Sequence, residues 1–501
     1  MRIVTSELLS IASFMVVGWL ALWPSRARLG ALAYHLAALP TGLLAGPLAL
    51  IVSSLAKRRL DAVSAASGAV LLVAFLWVAQ KVILRGDVAA GRVSPRSFLA
   101  AAGSVLGLGA VLGFLRLSAT NYDSVSSYWP LGVELSRKGA YTVQVASARS
   151  ALIPTMNAIH IVFGSDWAYV IYPLLGVTLA VWLGMVLWRG PLSAAPFDRR
   201  TKLLVTGGAL AFLAMEPSFV FNSFMVHSQM ISAVYLLISL SSIWMAIRPE
   251  SEDVNDAFLF VAGIAAAGLA LSRPDGLAYQ FVPVAASIAA LTVSKVRWRS
   301  VAAFFAPLVI LECAVYAAGF LTLGLWKAPK LSGVTTLAIL AVLALSAAGP
   351  WLVQLVSRVV PFRMTGERFL GLLVAVAAAL MAAVLAIKWG SAREALANAG
   401  INLFLGAGGY FYLWYAVVIL LVLTAITGDA LRSGSWTRDA FLGVALFFVI
   451  AGLVHGTSHE GRIGAGDSFN RVVFEILPIV IWLGAAVVAR ILAPVAEADA
   501  V

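Results

Sequence analysis

The chain has 501 residues, of which 61% are hydrophobic and 12% charged, about half the charge fraction of a soluble domain, and its mean hydropathy is +0.96. That balance excludes an ordinary water-soluble enzyme and makes lipid the solvent. The net charge of +12 does not indicate nucleic acid, because the basic residues are scattered through short inter-helix loops, where anionic lipid and membrane topology account for them.

From the amino terminus, Arg2 precedes an apolar stretch that runs to Trp23 with no small-residue cleavage site, so a retained first helix is expected. Apolar windows of about 20 residues, each long enough to cross about 30 Å of hydrocarbon, lie near 3–23, 29–54, 63–84, 97–117, 166–188, 203–221 and 228–247. Further windows follow near 256–272, 277–294, 300–323, 331–356, 369–387, 405–427, 439–455 and 471–490. The expected fold is all-α, a polytopic transmembrane helical bundle of about 13–15 spans. Its organisation is read as amino-terminal transmembrane segments over 1–117, an outer loop with two interfacial helices over 118–165, and the rest of the same membrane domain over 166–501. No tandem repeat, low-complexity segment or sizeable soluble domain is present, and the lone Cys313 lies in an apolar run with no second cysteine to pair with.

Alternating the loops and counting Lys and Arg orients the chain, since short cytoplasmic loops retain positive charge. One set carries Arg26 and Arg28, Arg85 to Arg96, Arg189 to Lys202, Lys295 to Arg299, Arg358 to Arg368, and Arg432 with Arg438; that side is expected to be cytoplasmic. Lys57, Arg58 and Arg59 run against the scheme, and a re-entrant second segment around Pro40 and Pro47 is the alternative there. The same parity places four polar stretches together on the outer side: 118–165, 216–228, 272–276 and 455–471.

In the first of these, Asn121-Tyr122-Asp123 closes an apolar span, and Val125, Trp129 and Val133 then recur at helical spacing, the pattern of a short helix lying on the membrane. A second short helix over 151–163 places Ile153, Met156, Ile159 and Phe163 on one face, with Thr155 and His160 pointing elsewhere. A carboxylate held between two such helices is placed to take a proton from an attacking hydroxyl, which makes Asp123 the candidate base; as an alternative it caps the helix beginning at Ser124. Asp166, opening the next span, has the same two readings, and Glu134 with Lys138 form an i, i+4 pair.

The turn Arg273-Pro274-Asp275-Gly276 either offers Arg273 to a phosphate or pairs it with Asp275. The last outer loop holds His455, His459, Glu460, Arg462 and several glycines, and leads through Asp467 to Asn470 and Arg471 at the start of the final helix. Helix amino termini and glycine-rich backbone attract anions, and Arg462 and Arg471 supply the permanent charge that a lipid-linked phosphate needs. The two histidines beside a glutamate leave a divalent metal as an alternative, although the glycines oppose the helix that would bring them together. His227 is read as a helix-end hydrogen-bonding residue, and Tyr410, Tyr412, Trp414 and Tyr415 as an interfacial aromatic belt. A phosphate-binding P-loop, a dinucleotide fingerprint, a nucleophile elbow and a zinc helix are all missing from the sequence, which removes ATP-driven pumping and the usual hydrolase chemistries.

This order of features resembles the GT-C superfamily of polytopic glycosyltransferases that use lipid-linked sugars, in particular its bacterial membrane branch. The resemblance rests on Asn121-Tyr122-Asp123, the helix through Gly139, the stretch from Pro154 to Gly164, and Arg471 with Pro478 entering the last helix. It covers 118–490 in architecture and only a few residues in motif. It implies inverting transfer of a sugar from a polyprenyl-phosphate donor to a cell-envelope glycan or lipid acceptor, on the non-cytoplasmic face of a bacterial inner membrane. Asp123 is then the base, no cofactor is required, the partners are the donor, the acceptor and membrane lipids, and nucleic acid is not among them. Arg273, Arg462, Arg471, Asn470, His459, Asp166 and Tyr122 are the residues expected to hold substrate and phosphate. Four apolar segments before Asp123, where the family commonly has one, and the lack of a carboxyl-terminal soluble domain depart from the pattern. The competing readings are a polymerase or ligase using a polyprenyl-diphosphate donor, and a transporter or flippase. For the last, only Glu312 stands clearly inside an expected span, and neither inverted repeats nor paired broken helices stand out.

Overall fold

A computed structural model describes residues 2–84, 94–115, 128–137, 151–190, 197–247, 254–273, 276–293, 298–323, 340, 343–344, 346–355, 366–410, 412–427, 436–457, 463 and 468–492. The regular structure of the described residues is helical, without a sheet. In chain order the helices are α1 (Arg2–Leu22), α2 (Ala31–Leu43), α3 (Ala45–Leu55), α4 (Ala62–Ile83), α5 (Pro95–Leu115), α6 (Trp129–Arg137) and α7 (Leu152–Val162). Next come α8 (Ile171–Arg189), α9 (Arg199–Met215), α10 (Pro217–Phe224), α11 (Ser228–Ala246), α12 (Asp256–Ser272), α13 (Gly276–Val293) and α14 (Trp298–Leu323). The last six are α15 (Gly366–Ile387), α16 (Trp389–Phe404), α17 (Leu413–Thr427), α18 (Trp436–Gly456), α19 (Ser468–Glu475) and α20 (Leu477–Leu492).

Among the described residues, 7 helices are long and apolar enough to cross a membrane, or up to 9 if each of two bent pairs is one span. The protein is therefore an integral membrane protein, an all-α polytopic bundle. It divides into two compact units, one made of residues 1–178 and 223–363 and the other of 179–222 and 364–501.

In the first unit, helices meet where glycine lets backbones touch. A Cβ added to Gly18 on α1 would stand 1.8 Å from the Ala38 carbonyl oxygen on α2, and one on Gly42 would stand 1.8 Å from that of Phe14. Gly68 on α4 does the same against α3, and Gly263 on α12 against Phe304 of α14. Hydrocarbon offers no hydrophobic drive for helix association, so close packing of small residues is what holds such pairs.

Residues 31–55 form one stretch long and apolar enough to cross a membrane. The stretch is interrupted at Leu44, where Pro47 has no N–H to continue the helical ladder. The Leu44 amide turns to Thr41, and the Pro40 carbonyl instead accepts from the Tyr235 hydroxyl of α11 at 2.7 Å. A carbonyl freed in lipid needs such a partner. The end of α3 is a complete Schellman motif: Arg58 N donates to Ser53 O at 2.9 Å and Lys57 N to Ser54 O at 3.2 Å, with Lys57 itself in the left-handed region at φ 51.

In the second unit, α15 packs on α18, α18 on α19, and α9 and α17 on α20. Two helices are broken. The chain bends 67° between α9 and α10 and 51° between α19 and α20. Pro217 explains the first, since the residue before a proline is driven out of the helical region, and Glu216 there is extended at ψ 113. Pro478, second in α20, explains the second by withholding a donor.

Candidate functional site

Residues from three of the four polar stretches that loop parity placed on one side meet in the first unit. Helix α6 lies on α7, where a Cβ on Gly132 would meet Asn157 Cβ at 2.7 Å. Asn157 Nδ2 donates to the Tyr128 carbonyl at 3.1 Å, and the Tyr128 hydroxyl reaches Ser228 Oγ at 3.4 Å. The Tyr128 ring stands edge-on to His227, with centroids 5.4 Å apart. Four residues further on, Ser232 Oγ is 2.8 Å from Ser272 Oγ, the residue before Arg273. One polar chain thus runs from the 118–165 segment through the start of α11 to the end of α12.

His227 caps α11 as expected, its Nδ1 accepting from Ser228 N at 2.8 Å. Arg273 is buried, 7% exposed, with its guanidinium 4.9 Å from the centre of the Tyr279 ring. It sits at the carboxyl end of α12, where a cation is favoured by the helix dipole.

Helix α7 is too short to cross a membrane, and both of its faces are enclosed. Residues 152–160 are all buried, so Thr155 and His160 do not face solvent. Thr155 Oγ1 donates to Ala151 O at 2.6 Å, while His160 Nδ1 is bonded to Ser10 Oγ of α1. Ser10 gives its proton to Glu7 O at 2.8 Å; its oxygen is then the acceptor, and His160 carries its proton on Nδ1. Burial pushes the His160 imidazole down to about 3, so it stays neutral at physiological pH.

Glu7 is an acid inside the first apolar run. Its carboxylate accepts from Val170 N, with the Tyr169 and Ile171 amides beside it, at the amino terminus of α8. Asp166 is exposed and does not perform that capping, because the span begins at Ile171, five residues beyond it. The basic run Lys57, Arg58 and Arg59, exposed throughout, belongs to the same end as α6, since Leu60 N donates to Leu135 O at 3.0 Å. Arg28 lies at the other end of α12, where Asn255 bonds its carbonyl at 3.1 Å.

Asp123, Tyr122, His459 and Arg462 lie outside the described residues, as does Asp275. In the second unit, Asn470 is buried and Arg471 half-buried on α19. The Tyr410 hydroxyl donates to the Asn470 carbonyl at 2.9 Å, and Ser218 N donates to Gly409 O at 2.9 Å. A Cβ on Gly408 would meet Asn402 O at 2.7 Å and Asn470 Nδ2 at 2.8 Å. Glu216, 2% exposed at the first break, acts electrostatically on Tyr410. Both helix breaks therefore carry polar residues, a feature the hydropathy pattern did not show. The aromatic belt divides: Tyr412 and Tyr415 are exposed, whereas Tyr410 and Trp414 are buried. Among the described residues, no group of three or more His, Cys, Asp or Glu side chains is gathered to hold a metal ion.

No protein-family model, curated protein or solved structure matches the chain.

Proposed function

We propose that the protein is a membrane glycosyltransferase that moves a sugar from a polyprenyl-phosphate donor to a cell-envelope glycan or lipid acceptor on the non-cytoplasmic side of a bacterial inner membrane. The observation that carries this reading is the convergence of α6 and α7, His227 and Arg273 in the first unit, next to the segment that bears Asp123. Tyr128, anchored in that cluster, is five residues from Asp123, which limits the Asp123 backbone to within roughly 17 Å of it.

In the proposed reaction the acceptor hydroxyl oxygen attacks the anomeric carbon from the face opposite the phosphate. The new carbon–oxygen bond forms as the bond to the phosphate oxygen breaks, and polyprenyl phosphate leaves with the electron pair. Asp123 takes the hydroxyl proton. Arg273, buried and oriented by Tyr279, supplies positive charge to the departing phosphate. No metal or cofactor enters the scheme. The polar end of the second unit, with Asn470 and Arg471, is assigned no step in it.

The test compares polyprenyl-linked sugars and envelope glycans by mass spectrometry in cells carrying wild type, a deletion, and Asp123→Asn at matched protein levels. Loss of one sugar from a glycan with accumulation of the donor lipid, in both the deletion and Asp123→Asn, is the expected result. Normal glycan in Asp123→Asn removes the base assignment, and normal glycan in the deletion removes the transferase reading.

The second reading, a transporter or flippase, is favoured by the two broken helices of the second unit, since discontinuous spans commonly build substrate sites in such proteins. Substrate accumulation in sealed vesicles without chemical change is the result that would select it.

A further inference from the structure

The glycosyltransferase reading uses none of the polar groups buried inside the spans, and one cluster there has chemistry of its own. Glu312 lies in the candidate span Trp298–Tyr316. It is 0% exposed, Gln280 of α13 is 0% exposed, and Ser346, in the helical stretch 346–355, is 2% exposed. All three belong to the first unit. The Gln280 amide and the Ser346 hydroxyl approach the Glu312 carboxylate, but at the angles and lengths of an ordinary hydrogen bond neither carboxylate oxygen has a partner among the described residues, nor does either amide atom of Gln280. Four polar atoms of two neighbouring side chains are thus buried without an ordinary hydrogen-bond partner among the described residues.

Charge makes the arrangement informative. No lysine, arginine or histidine among the described residues acts on Glu312, which itself acts on the adjacent Cys313. A bare carboxylate in hydrocarbon is costly, and so is a buried amide left without partners. Those costs fall if a small cation binds these groups. The oxygens on offer are one carboxylate, one amide carbonyl and one hydroxyl, a hard set with a single negative charge. That composition suits one positive charge, whereas divalent ions normally recruit several carboxylates.

We infer that Glu312, Gln280 and Ser346 form an intramembrane site for one exchangeable monovalent cation, either a proton or an alkali-metal ion. Three separate stretches of chain contribute to it, so its occupancy couples their packing.

The test is labelling with the apolar carboxyl reagent dicyclohexylcarbodiimide, which attacks protonated carboxyls in membranes, read by peptide mass spectrometry on the full-length protein in detergent and in liposomes. One adduct on Glu312 is expected, and none at that position in Glu312→Gln. Protection by sodium but not by choline identifies an alkali-metal occupant; labelling that ignores sodium and potassium and falls as pH rises identifies a proton. Gln280→Leu and Ser346→Ala are expected to shift the protecting concentration or pH about tenfold or one unit while the protein still melts cooperatively. Labelling that is the same in every salt and pH overturns the proposal. So does a Glu312 that labels only after unfolding in detergent, since that carboxyl is sealed and permanently neutralised. Unchanged protection in both neighbouring variants overturns the assigned composition of the site.

Discussion

Replacing Gly42 by alanine tests the backbone contact on which the first two spans depend. The new methyl would lie 1.8 Å from the Phe14 carbonyl oxygen and 2.6 Å from its carbon, so α1 and α2 would have to separate by about 1.5 Å to restore ordinary contact, an overpacking that typically costs about 1–3 kcal/mol. The flexible end of a side chain yields to such a clash; two helix backbones do not. The reciprocal contact of Gly18 with Ala38 would open in the same movement, which places the loss near the upper end, about 3 kcal/mol. Gly103 on α5 is the internal control: it is exposed, and a Cβ there meets nothing within 4 Å. Gly103→Ala should then gain about 0.5–1 kcal/mol from helix propensity alone. The assay is thermal unfolding of both variants in one detergent, followed by tryptophan fluorescence and by loss of monodisperse protein on gel filtration. Gly42→Ala should melt several degrees below wild type, and Gly103→Ala at or above it. Equal midpoints for the two alanine variants would refute the claim that the α1–α2 contact is made backbone to backbone.

Lys57 occupies the left-handed position that ends α3, so Lys57→Gly is expected to stabilise by about 0.5–1 kcal/mol and Lys57→Val to destabilise by at least as much, measured by the same melting assay; a stabilising valine would show that the turn is not left-handed in the folded protein. His160 has its folded value lowered from 6.5 to about 3 by burial, so the unfolded chain takes up the proton first: stability is fully present above pH 6.5 and falls as pH drops from there toward 3, by up to about 1.4 kcal/mol per unit. His160→Gln should flatten that part of the pH profile, and a variant that keeps the wild-type slope would place the lost protons on other groups.

The sequence by itself determined the solvent and the class of fold. Apolar runs of span length follow from the need to satisfy every backbone group inside hydrocarbon, and the windows near 3–23, 63–84, 166–188 and 228–247 contain helices within a few residues of where hydropathy put them. Loop parity grouped four stretches, 118–165, 216–228, 272–276 and 455–471, and the contacts of Tyr128, Asn157, Ser228 and Ser272 join described residues of the first three within the first unit. His227 was legible as a cap because a polar residue directly before a long apolar helix has few other uses.

Tertiary structure decided what depends on neighbours remote in sequence. Helical periodicity aimed Thr155 and His160 away from the apolar face of α7, but that helix is surrounded, and Ser10, 150 residues earlier, receives His160. Asp166 looked like the cap of the following span, yet Glu7 takes that place from α1, because a cap is chosen by reach in space and not by adjacency in the chain. The breaks at Glu216 and Ile476 were hidden because hydropathy averages over a window and does not register one missing amide. Lys57, Arg58 and Arg59 contradicted a charge count, and only the Leu60–Leu135 bond shows that they belong beside α6. The Glu312 cluster is the clearest case. A glutamate, a glutamine and a serine on three stretches of chain are unremarkable singly, and only packing can bury them together without enough hydrogen bonds to go round.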